Sequence, residues 1–399
     1  MNKNITVILV SAIDWDDTLR RQQNIFSRLG RVHKVLWIEP LISSVKGIKW
    51  FKRVFRFICF IFCRKQNNDI QVVPLFMLLP FGRNSVIRSI NKIFLSLCLR
   101  LCLKMDQQDI RVLWLHDFWD ADMFMGQCKE TAVFYELYDD YLAYQNYGGI
   151  AAEAERKEQE LMRKVDGIVA TSETLRRKGA LFNPQTILIP NGVDLSLYQR
   201  TLEQYSLPQE LKDIPHPIIG YMGGNNFETC KKIDYDLLLH AVKARLNWSF
   251  VFLGPVDQLE IKNEKLDELR KFSNVYFLGK IEPVRLPHFL KSFDVGVFPW
   301  LINDFTNKVY ALKLNEYFVC GDPVVSVATE EMVLLDQRIP GLIRIARNYD
   351  DFIYQIEEAL NSKEDKCAME KRERFSEEHD WDVLVDKMDQ FMMMQLEGR

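Results

Sequence analysis

The sequence predicts an α/β protein made of two doubly wound, Rossmann-like domains. Its 399 residues exceed what one hydrophobic core usually serves, so two domains of roughly two hundred residues each are expected. Short β-branched apolar runs alternate with stretches of helical periodicity along the chain. Both halves repeat this alternation, which is typical of parallel βα units.

The first half supplies one predicted sheet. Helical stretches separate its strands, among them residues 18–30, which end at a glycine suited to a helix C-terminus, and the charged residues 151–165. The strand-like runs are residues 5–10, 34–39, 70–75, 111–116, 132–137, 167–171 and 186–190. We expect a first domain over residues 1–198.

The second half supplies another sheet, with helical patterns at 235–246 and 266–272. Residues 202–217 contain three prolines and no long apolar run, which predicts a linker or an edge segment between the halves. We expect the second domain over residues 199–378. Its strand-like runs are residues 217–222, 248–254, 274–279, 294–299, 323–327 and 341–346.

The composition is that of an ordinary globular protein, with 48% hydrophobic residues, 27% charged residues and a formal net charge of −3. No recognition motif or basic balance indicates a nucleic-acid partner. The first residues lack the long apolar region of a signal peptide, so a cytoplasmic location is expected. The eight cysteines form no Cys-x-x-Cys pair, which favours reduced thiols over metal ligands or disulfides.

A turn at Asn191-Gly192 ends the last strand of the first half. Doubly wound sheets bind ligands at the carboxyl ends of their strands, so this turn is expected at the floor of a cleft between the domains. That makes Asn191 a candidate for contacts with a ligand in the cleft. The alternative is a plain surface turn, which Asn-Gly forms in any protein.

Several stretches together resemble the nucleotide-sugar-dependent glycosyltransferases of family four, and most of all the branch of teichuronic acid and exopolysaccharide transferases. The motifs occur in the family's order over nearly the whole chain. They are "RRQQNIFSRLGRVHKVLWIEP" (20–40), "YELYDDYLAY" (135–144), "IPNGVD" (189–194), "IGYMGG" (219–224), "NVYFLGKIEPVRLPHFLKSFDVGVFPW" (274–300), "LKLNEYFVCGDPVVS" (312–326) and "HDWDVLVDKM" (379–388).

The resemblance implies a GT-B fold: two Rossmann-like domains facing a cleft, with the acceptor mostly on the first and the nucleotide sugar on the second. It also implies that residues 379–399 hold a helix that crosses back to the first domain. Val383, Met388, Phe391 and Met392 recur there at roughly helical spacing. The alternative is a helix packed on its own domain.

Diphosphate binding requires close backbone approach and positive charge. Gly223, Gly224 and Asn225 follow a strand and lack bulk, so their N–H groups are candidates for phosphate contacts. An ordinary tight turn is the alternative. Lys231 and Lys232 follow as diphosphate ligands or as solvated lysines.

A polar loop and a helix start occupy residues 303–318, where free N–H groups and the helix dipole favour a diphosphate. Lys313 and Glu316 lie three apart on one helical face. The resemblance gives Glu316 the role of accepting both ribose hydroxyls, and the alternative is a surface ion pair. Many family members carry Glu at the position of Lys308, which leaves the donor sugar open. The other nucleotide-sugar candidates are Gly279, Lys280, Thr306, Asn307, Lys313 and Leu314.

The first domain offers His116 and Asp117 at a strand end, and with Lys313 and Glu316 they complete the catalytic candidates. Retaining transferases of this fold often place a histidine near the donor sugar, whereas a lone histidine at a strand end is more often structural. The acceptor-side candidates besides Asn191 are Asp16, Arg21, Asp139 and Asp140, with helix capping as the alternative for the carboxylates.

Asp-x-Asp pairs, which hold a metal in a different transferase fold, recur at 14–16, 120–122, 234–236 and 380–382. None lies beside a second cluster of ligands, so no essential metal or other cofactor is predicted. The resemblance implies transfer with retention, in which positioning and electrostatics supply most of the catalysis.

Residues 44–65 and 83–104 are basic, apolar and free of acidic residues. Their apolar runs are too short to span a bilayer, and their pattern indicates helices lying on an anionic membrane surface. Buried amphipathic helices with solvated basic edges are the alternative. A lipid-linked glycan acceptor would explain both segments.

The sequence therefore predicts a glycosyltransferase that is peripheral to the inner face of the cell membrane and transfers sugar from a UDP or GDP sugar in surface polysaccharide biosynthesis. A nucleotide-sugar epimerase of the same fold and a catalytically inactive glycan-binding partner remain alternatives. A nicotinamide dehydrogenase is disfavoured because residues 7–17 lack the glycine fingerprint after the first strand.

Overall fold

The computed structural model describes residues 5–16, 20–42, 46–63, 70–80, 84–102, 110–140, 143, 150–223, 232–254, 263–362 and 365–398. The chain divides into two compact units: Met1–Thr171, Leu175–Ile189 and Val385–Arg399 form the first, and Ser172–Thr174 and Pro190–Leu384 form the second. The chain passes from Ile189 of the first unit to Pro190 of the second. Tyr198 therefore packs in the hydrophobic core of the second unit.

The first unit contains a parallel seven-stranded sheet in the order β3-β2-β1-β4-β5-β6-β7. The strands β1 and β5 are buried along their whole length. Their continuous apolar runs predicted this, because strands of a sheet covered on both faces are apolar throughout. The elements are β1 Ile5–Val10, α1 Arg21–Leu29, β2 Lys34–Ile38, α2 Ile48–Cys63, β3 Ile70–Val73, α3 Ser85–Cys102, β4 Ile110–Leu115, α4 Ala121–Phe124, β5 Ala132–Leu137, α5 Ala151–Lys164, β6 Gly167–Ala170, α6 Glu173–Ala180 and β7 Thr186–Leu188.

The second unit contains a parallel six-stranded sheet in the order β10-β9-β8-β11-β12-β13. In each unit the strand order reverses beside the first strand of the sheet, which is the switch point of doubly wound folds. The elements are α7 Leu195–Glu203, β8 Ile218–Met222, α8 Tyr235–Ala244, β9 Ser249–Leu253, α9 Glu264–Leu269, β10 Val275–Gly279, α10 Leu286–Leu290, β11 Val295–Phe298, α11 Leu312–Val319, β12 Val324–Val327, α12 Glu330–Arg338, β13 Arg344–Ala346, α13 Tyr349–Asn361, α14 Lys366–Glu378 and α15 Trp381–Glu397.

The final helix, α15, has most of its length grouped with the first unit. Phe391 packs edge-on against Phe134 of β5, with ring centroids 5.8 Å apart. Gly167 makes room for this ring, because a Cβ at that position would lie 2.8 Å from Phe391. His33 Nε2 also lies 2.7 Å from Asp389 Oδ1.

The expected linker at residues 202–217 is a structured part of the second unit. Gln209–Leu211 forms a turn of 3₁₀ helix, and both Leu211 and Ile214 are buried in the core of that unit. The three prolines of this segment therefore do not make it a linker outside the core. Along the described part of the chain, every helix is too short or too polar to cross a membrane.

Candidate functional site

Three glycines lie together at the carboxyl ends of β8, β9 and β10. The N–H of Gly223 donates to the carbonyl of Leu253 at 2.9 Å, and the N–H of Gly254 donates to that of Gly279 at 2.7 Å. A Cβ on Gly254 would lie 2.7 Å from the carbonyl oxygen of Gly223, and Gly254 has φ of +103°. The backbone at this edge is therefore bare, as close approach of a phosphate requires.

Gly254 is a member of this edge that the sequence analysis missed. The signal was present, because β9 and β10 both end in Phe-Leu-Gly. Gly224, Asn225 and Lys231 lie outside the described residues. Gly279 is buried with φ of +68°, whereas Lys280 beside it is exposed.

Lys232 is bound to the loop that follows β11. Its carbonyl accepts a hydrogen bond from Leu301 N at 2.7 Å. Its ammonium lies 4.6 Å from the ring centroid of Phe305 and 5.7 Å from that of Trp300. The solvated-lysine alternative is therefore wrong, because two aromatic faces hold the charge at this loop.

Thr306 and Asn307 shape the same loop. Thr306 is fully buried, and its hydroxyl donates to the carbonyl of Leu301 at 2.5 Å, which corrects its prediction as a sugar or phosphate ligand. Asn307 Oδ1 accepts the N–H of Glu330 at 3.1 Å at the start of α12. The half-buried Asn307 therefore stays a candidate through the rest of its side chain.

The start of α11 has no side-chain cap and no acidic residue in its first turn, so its first N–H groups are not satisfied by a capping side chain. Lys313 lies on this turn and is partly exposed. Leu314 is fully buried in the core, so its predicted contact with the nucleotide sugar is excluded for the side chain.

Glu316 follows on the same helix, and Lys313 Nζ lies 3.3 Å from its Oε2. That oxygen is buried and has no hydrogen-bond partner among the described residues. Burial, and then the charge of Glu316 and its hydrogen bond with the Tyr198 hydroxyl, raise the pKa of Tyr198 well above its ordinary value. The carboxylate is thus held by two neighbours, and its Oε2 is ion-paired with Lys313 but accepts no hydrogen bond among the described residues.

Asn191 is bonded to the start of α11 through both its side chain and its backbone, and its acceptor-side role stays a prediction. Its Nδ2 donates to the carbonyl of Tyr310 at 3.2 Å, and its carbonyl accepts Asn315 Nδ2 at 2.6 Å. The Tyr310 hydroxyl donates to Asn315 Oδ1 at 2.8 Å and closes the ring of bonds. This turn is therefore a structural joint for α11 and no plain surface turn.

In the first unit, the pairing of Leu115 with Tyr135 brings His116 beside Glu136. His116 Nε2 donates to Glu136 Oε2 at 2.7 Å, and Trp114 Nε1 donates to the same oxygen at 3.0 Å. Arg21 Nε donates to Glu136 Oε1 at 2.6 Å. Two predicted residues, His116 and Arg21, therefore meet on a carboxylate that the sequence analysis missed.

The charges of this cluster are strongly coupled. Burial alone would raise the pKa of Glu136, but the charges and hydrogen bonds of Arg21 and His116 lower it to about 2. His116 is fully buried, and its Nδ1 has no hydrogen-bond partner among the described residues. One nitrogen of the imidazole is thus fixed and the other is open.

Asp117 lies next to this cluster and is half-buried. Burial, and then the charge of Asp120, raise the pKa of Asp117 to about 6, although the N–H of Trp119 donates to its carboxylate at 2.7 Å. Asp120 itself is paired with Arg88 at 3.1 Å. Asp117 can therefore hold or release a proton near neutral pH.

The remaining acceptor-side candidates are dispersed. Asp140 is buried and bonded to Lys178 Nζ at 3.0 Å, while Lys178 also bonds Glu158 at 2.7 Å, so Asp140 belongs to an internal ion network and its prediction as an acceptor ligand is corrected. Asp139 is half-buried, and Asp16 is exposed in the turn after β1. Among the described residues no three His, Cys, Asp or Glu side chains are grouped as metal ligands.

Comparison with known proteins finds a family match within the second unit. Residues 216–362 match the family described as "Glycosyl transferases group 1". The chain is 23% identical over 243 residues to TuaH of Bacillus subtilis strain 168, whose name assigns it to teichuronic acid biosynthesis as a glycosyltransferase. That match covers 57% of this chain and 56% of TuaH, so it spans about half the length of the relative.

Solved structures match over nearly the whole chain. Sucrose-phosphate synthase from Thermosynechococcus elongatus has a TM-score of 0.67 at 15% identity and covers 99% of this chain and 100% of its own. HepE from Anabaena, solved in complex with UDP-glucose, has a TM-score of 0.65 at 12% identity, with 98% and 100% coverage. These likenesses confirm the GT-B fold, and the family match confirms the predicted resemblance to glycosyltransferases.

Proposed function

We propose that this chain, a GT-B protein with a group 1 glycosyl transferase domain, is an enzyme that transfers a sugar from a nucleoside diphosphate sugar to a glycan acceptor. The family match over residues 216–362 supports the reaction class. The name of TuaH supports a role in surface polysaccharide biosynthesis. HepE, which shares the fold, was solved with UDP-glucose, and this favours a UDP sugar over a GDP sugar as the donor.

The observation that carries the proposal is the Glu316 carboxylate. Its Oε2 is ion-paired with Lys313 at 3.3 Å but accepts no hydrogen bond among the described residues, so it retains acceptor capacity for ribose hydroxyls. Tyr198 and Lys313 hold the carboxylate in one orientation, so little freedom would be lost on binding.

The diphosphate has three sources of stabilisation in the same unit. The bare backbone at Gly223, Gly254 and Gly279 allows close approach, the uncapped start of α11 offers N–H groups, and Lys232 adds a positive charge. These groups would balance the charge of the leaving diphosphate, so we propose that no metal is essential. Lys313 and Lys280 are further candidates for the proposed donor site, and Gly224, Asn225 and Lys231, which lie outside the described residues, are proposed with them from the sequence.

We propose that transfer proceeds with retention. The acceptor hydroxyl attacks the anomeric carbon on the face that the diphosphate leaves, and the proton of the hydroxyl passes to the departing phosphate oxygen. His116 and Asp117 of the first unit, together with Asp16 and Asp139 on its strand-end loops and Arg21 at the start of α1, are the proposed contacts for the donor sugar and the acceptor. Positioning and electrostatics supply the rate.

We propose that the acceptor is a lipid-linked glycan. We also propose that the enzyme acts at the inner face of the cell membrane, which it contacts through residues 44–65 and 83–104. A hydrophobic acceptor anchor stays in the bilayer, so an enzyme that docks there meets its substrate at high local concentration.

Thermal unfolding with a panel of UDP, GDP, ADP, CMP and dTDP tests the donor site. A ligand that binds only the native state raises the unfolding midpoint. We expect one nucleotide to stabilise the wild type, Glu316→Ala to lose that shift, and Glu378→Ala, an exposed glutamate of the same unit, to keep it.

Absence of any shift with a well-folded protein would overturn the transferase and favour an inactive partner. A stabilising nucleotide whose sugar is interconverted without an acceptor would favour the epimerase. NMR of the anomeric proton in the glycan product distinguishes retention from inversion.

A further inference from the structure

The helices α2 and α3 carry their apolar side chains outward. On α2 the exposed large hydrophobic residues recur at helical spacing, and Phe55 is 67% exposed while Phe62 is 82% exposed. On α3 a second stripe has the same spacing. The two stripes are Ile48, Phe51, Phe55, Ile58 and Phe62 on α2, and Val86, Ile90, Ile93, Leu97 and Leu101 on α3.

Both helices pack on the same inner residue. The ring of Phe76 lies 5.6 Å from that of Trp50 and 5.8 Å from that of Phe57, both on α2. It also lies 5.2 Å from the ring of Phe94 on α3. The inner faces of α2 and α3 therefore pack within the first unit, whereas the outer stripes take no part in its core.

Arginines on both helices pair with carboxylates of the first unit. Arg53 bonds Asp14 at 2.6 Å and lies 3.2 Å from the fully buried Glu39. Arg56 bonds Glu39 at 3.0 Å. On α3, Arg88 Nε bonds Asp122 at 3.0 Å.

Lysines flank the outward stripe. Lys46, Lys49 and Lys52 are all exposed, and neither helix contains an acidic residue. Contiguous apolar surface of this kind marks an interaction site, and its lysine edge specifies an anionic partner. A second copy of the chain fits poorly, because a two-fold contact through this face would set lysines against lysines.

We propose that the outward stripes of α2 and α3 form a docking surface for an anionic lipid bilayer, in which the stripes enter the acyl boundary and the lysines bind the headgroups. The purpose of this docking surface rests on the proposed function, because the surface would bring the enzyme to a lipid-linked acceptor. Arg53 and Arg56 fix the rotation of α2 about its axis by their pairing with Glu39 and Asp14.

Vesicle flotation of the full chain tests the proposal, with vesicles of phosphatidylcholine alone and of phosphatidylcholine mixed with phosphatidylglycerol. We expect binding to the mixed vesicles, and a loss of about tenfold in affinity for each phenylalanine in Phe51→Ser/Phe55→Ser. Lys49→Gln/Lys52→Gln should lose about fivefold for each lysine on mixed vesicles, and little on neutral ones.

Two controls match these variants within the first unit. Leu181→Ser removes a hydrophobic side chain that is 81% exposed outside the two helices, and Lys164→Gln removes an exposed lysine of α5. Neither should change flotation. All the substituted side chains are exposed, so the far-ultraviolet circular dichroism and the unfolding midpoint should stay unchanged.

A wild type that floats with neither kind of vesicle would overturn the proposal. So would equal losses in the controls and the stripe variants. A concentration-dependent dimer in sedimentation that Phe51→Ser/Phe55→Ser dissolves would assign the face to a second copy. Nucleotide stabilisation needs no vesicles, so it reports failure of the donor site separately.

Discussion

Glu136 accepts the Nε2 proton of His116 across 2.7 Å inside the first unit, where both side chains are fully buried. Arg21 and Trp114 donate to the same carboxylate. Since an ionised carboxylate can only accept hydrogen bonds, this contact places a proton of the imidazole on Nε2. His116 is thereby held with Nε2 as the donor, and its Nδ1 has no hydrogen-bond partner among the described residues.

Glu136→Gln should switch the donor nitrogen of His116. The charged Arg21 attracts the amide oxygen of the introduced side chain, so the amide nitrogen faces both His116 and Trp114. It requires an acceptor on His116, and the N–H of Trp114 loses its acceptor. We expect the ¹⁵N shifts of His116 to change from a protonated Nε2 to a protonated Nδ1. Loss of the carboxylate from its buried charge cluster should also lower the free energy of unfolding by about 3 to 5 kcal/mol.

The dependence of the free energy of unfolding on pH, below pH 4.5, tests the role of Glu136. Its pKa is about 2 in the folded protein, below the ordinary 4.5, so it contributes stability above pH 4.5 that is lost as the pH falls toward 2. Urea unfolding across this range should show that loss in the wild type and less of it in Glu136→Gln. Parallel pH profiles would contradict the coupling.

Asp117→Asn should stabilise the protein at neutral pH. The pKa of Asp117 is about 6 when folded and near 3.8 when unfolded, so the folded state binds more protons between these values. Its contribution to stability therefore falls as the pH rises from 3.8 to 6, and the neutral amide avoids that loss. Urea midpoints at pH 5 and pH 7 measure it, and Asp16→Asn, exposed on the same unit, is the control.

The strands were predictable because parallel strands buried on both faces read as continuous apolar runs. Each predicted run overlaps a strand of the structure, from Ile5–Val10 to Arg344–Ala346. The GT-B class followed from the order of motifs along the chain. These features are local in sequence, and local patterns are what a single chain displays.

The roles of polar residues were harder to predict because their partners are distant in sequence. Arg53 reads as a basic surface residue until Asp14 and Glu39 are placed beside it. Asp140 reads as a loop carboxylate, yet Lys178 buries it in an ion network. Glu136 did carry a signal, since a lone acid inside a buried strand requires charged or hydrogen-bonded partners.

Gly192→Ala should disrupt the joint that supports α11. A Cβ at this position would lie 2.8 Å from both the carbonyl oxygen of His379 and the ring of Trp381, so the strand-end turn must shift. We expect a loss of about 1 to 3 kcal/mol in the free energy of unfolding, measured by urea titration. A Cβ on Gly398 would have its nearest neighbour at 3.8 Å, so Gly398→Ala is the control and should cost almost nothing in the same titration.

Phe391→Ala should release the C-terminal helix from the first unit. Phe391 is 4% exposed and fills the space that Gly167 leaves beside Phe134, so its truncation opens a cavity in that packing. We expect a cost of about 3 to 5 kcal/mol in the free energy of unfolding, with faster amide exchange along α15. Met394→Ala truncates a side chain of the same helix that is 60% exposed, and its exchange should match the wild type. Equal exchange in all three proteins would mean that the pairing of His33 with Asp389 holds the helix without the aromatic contact.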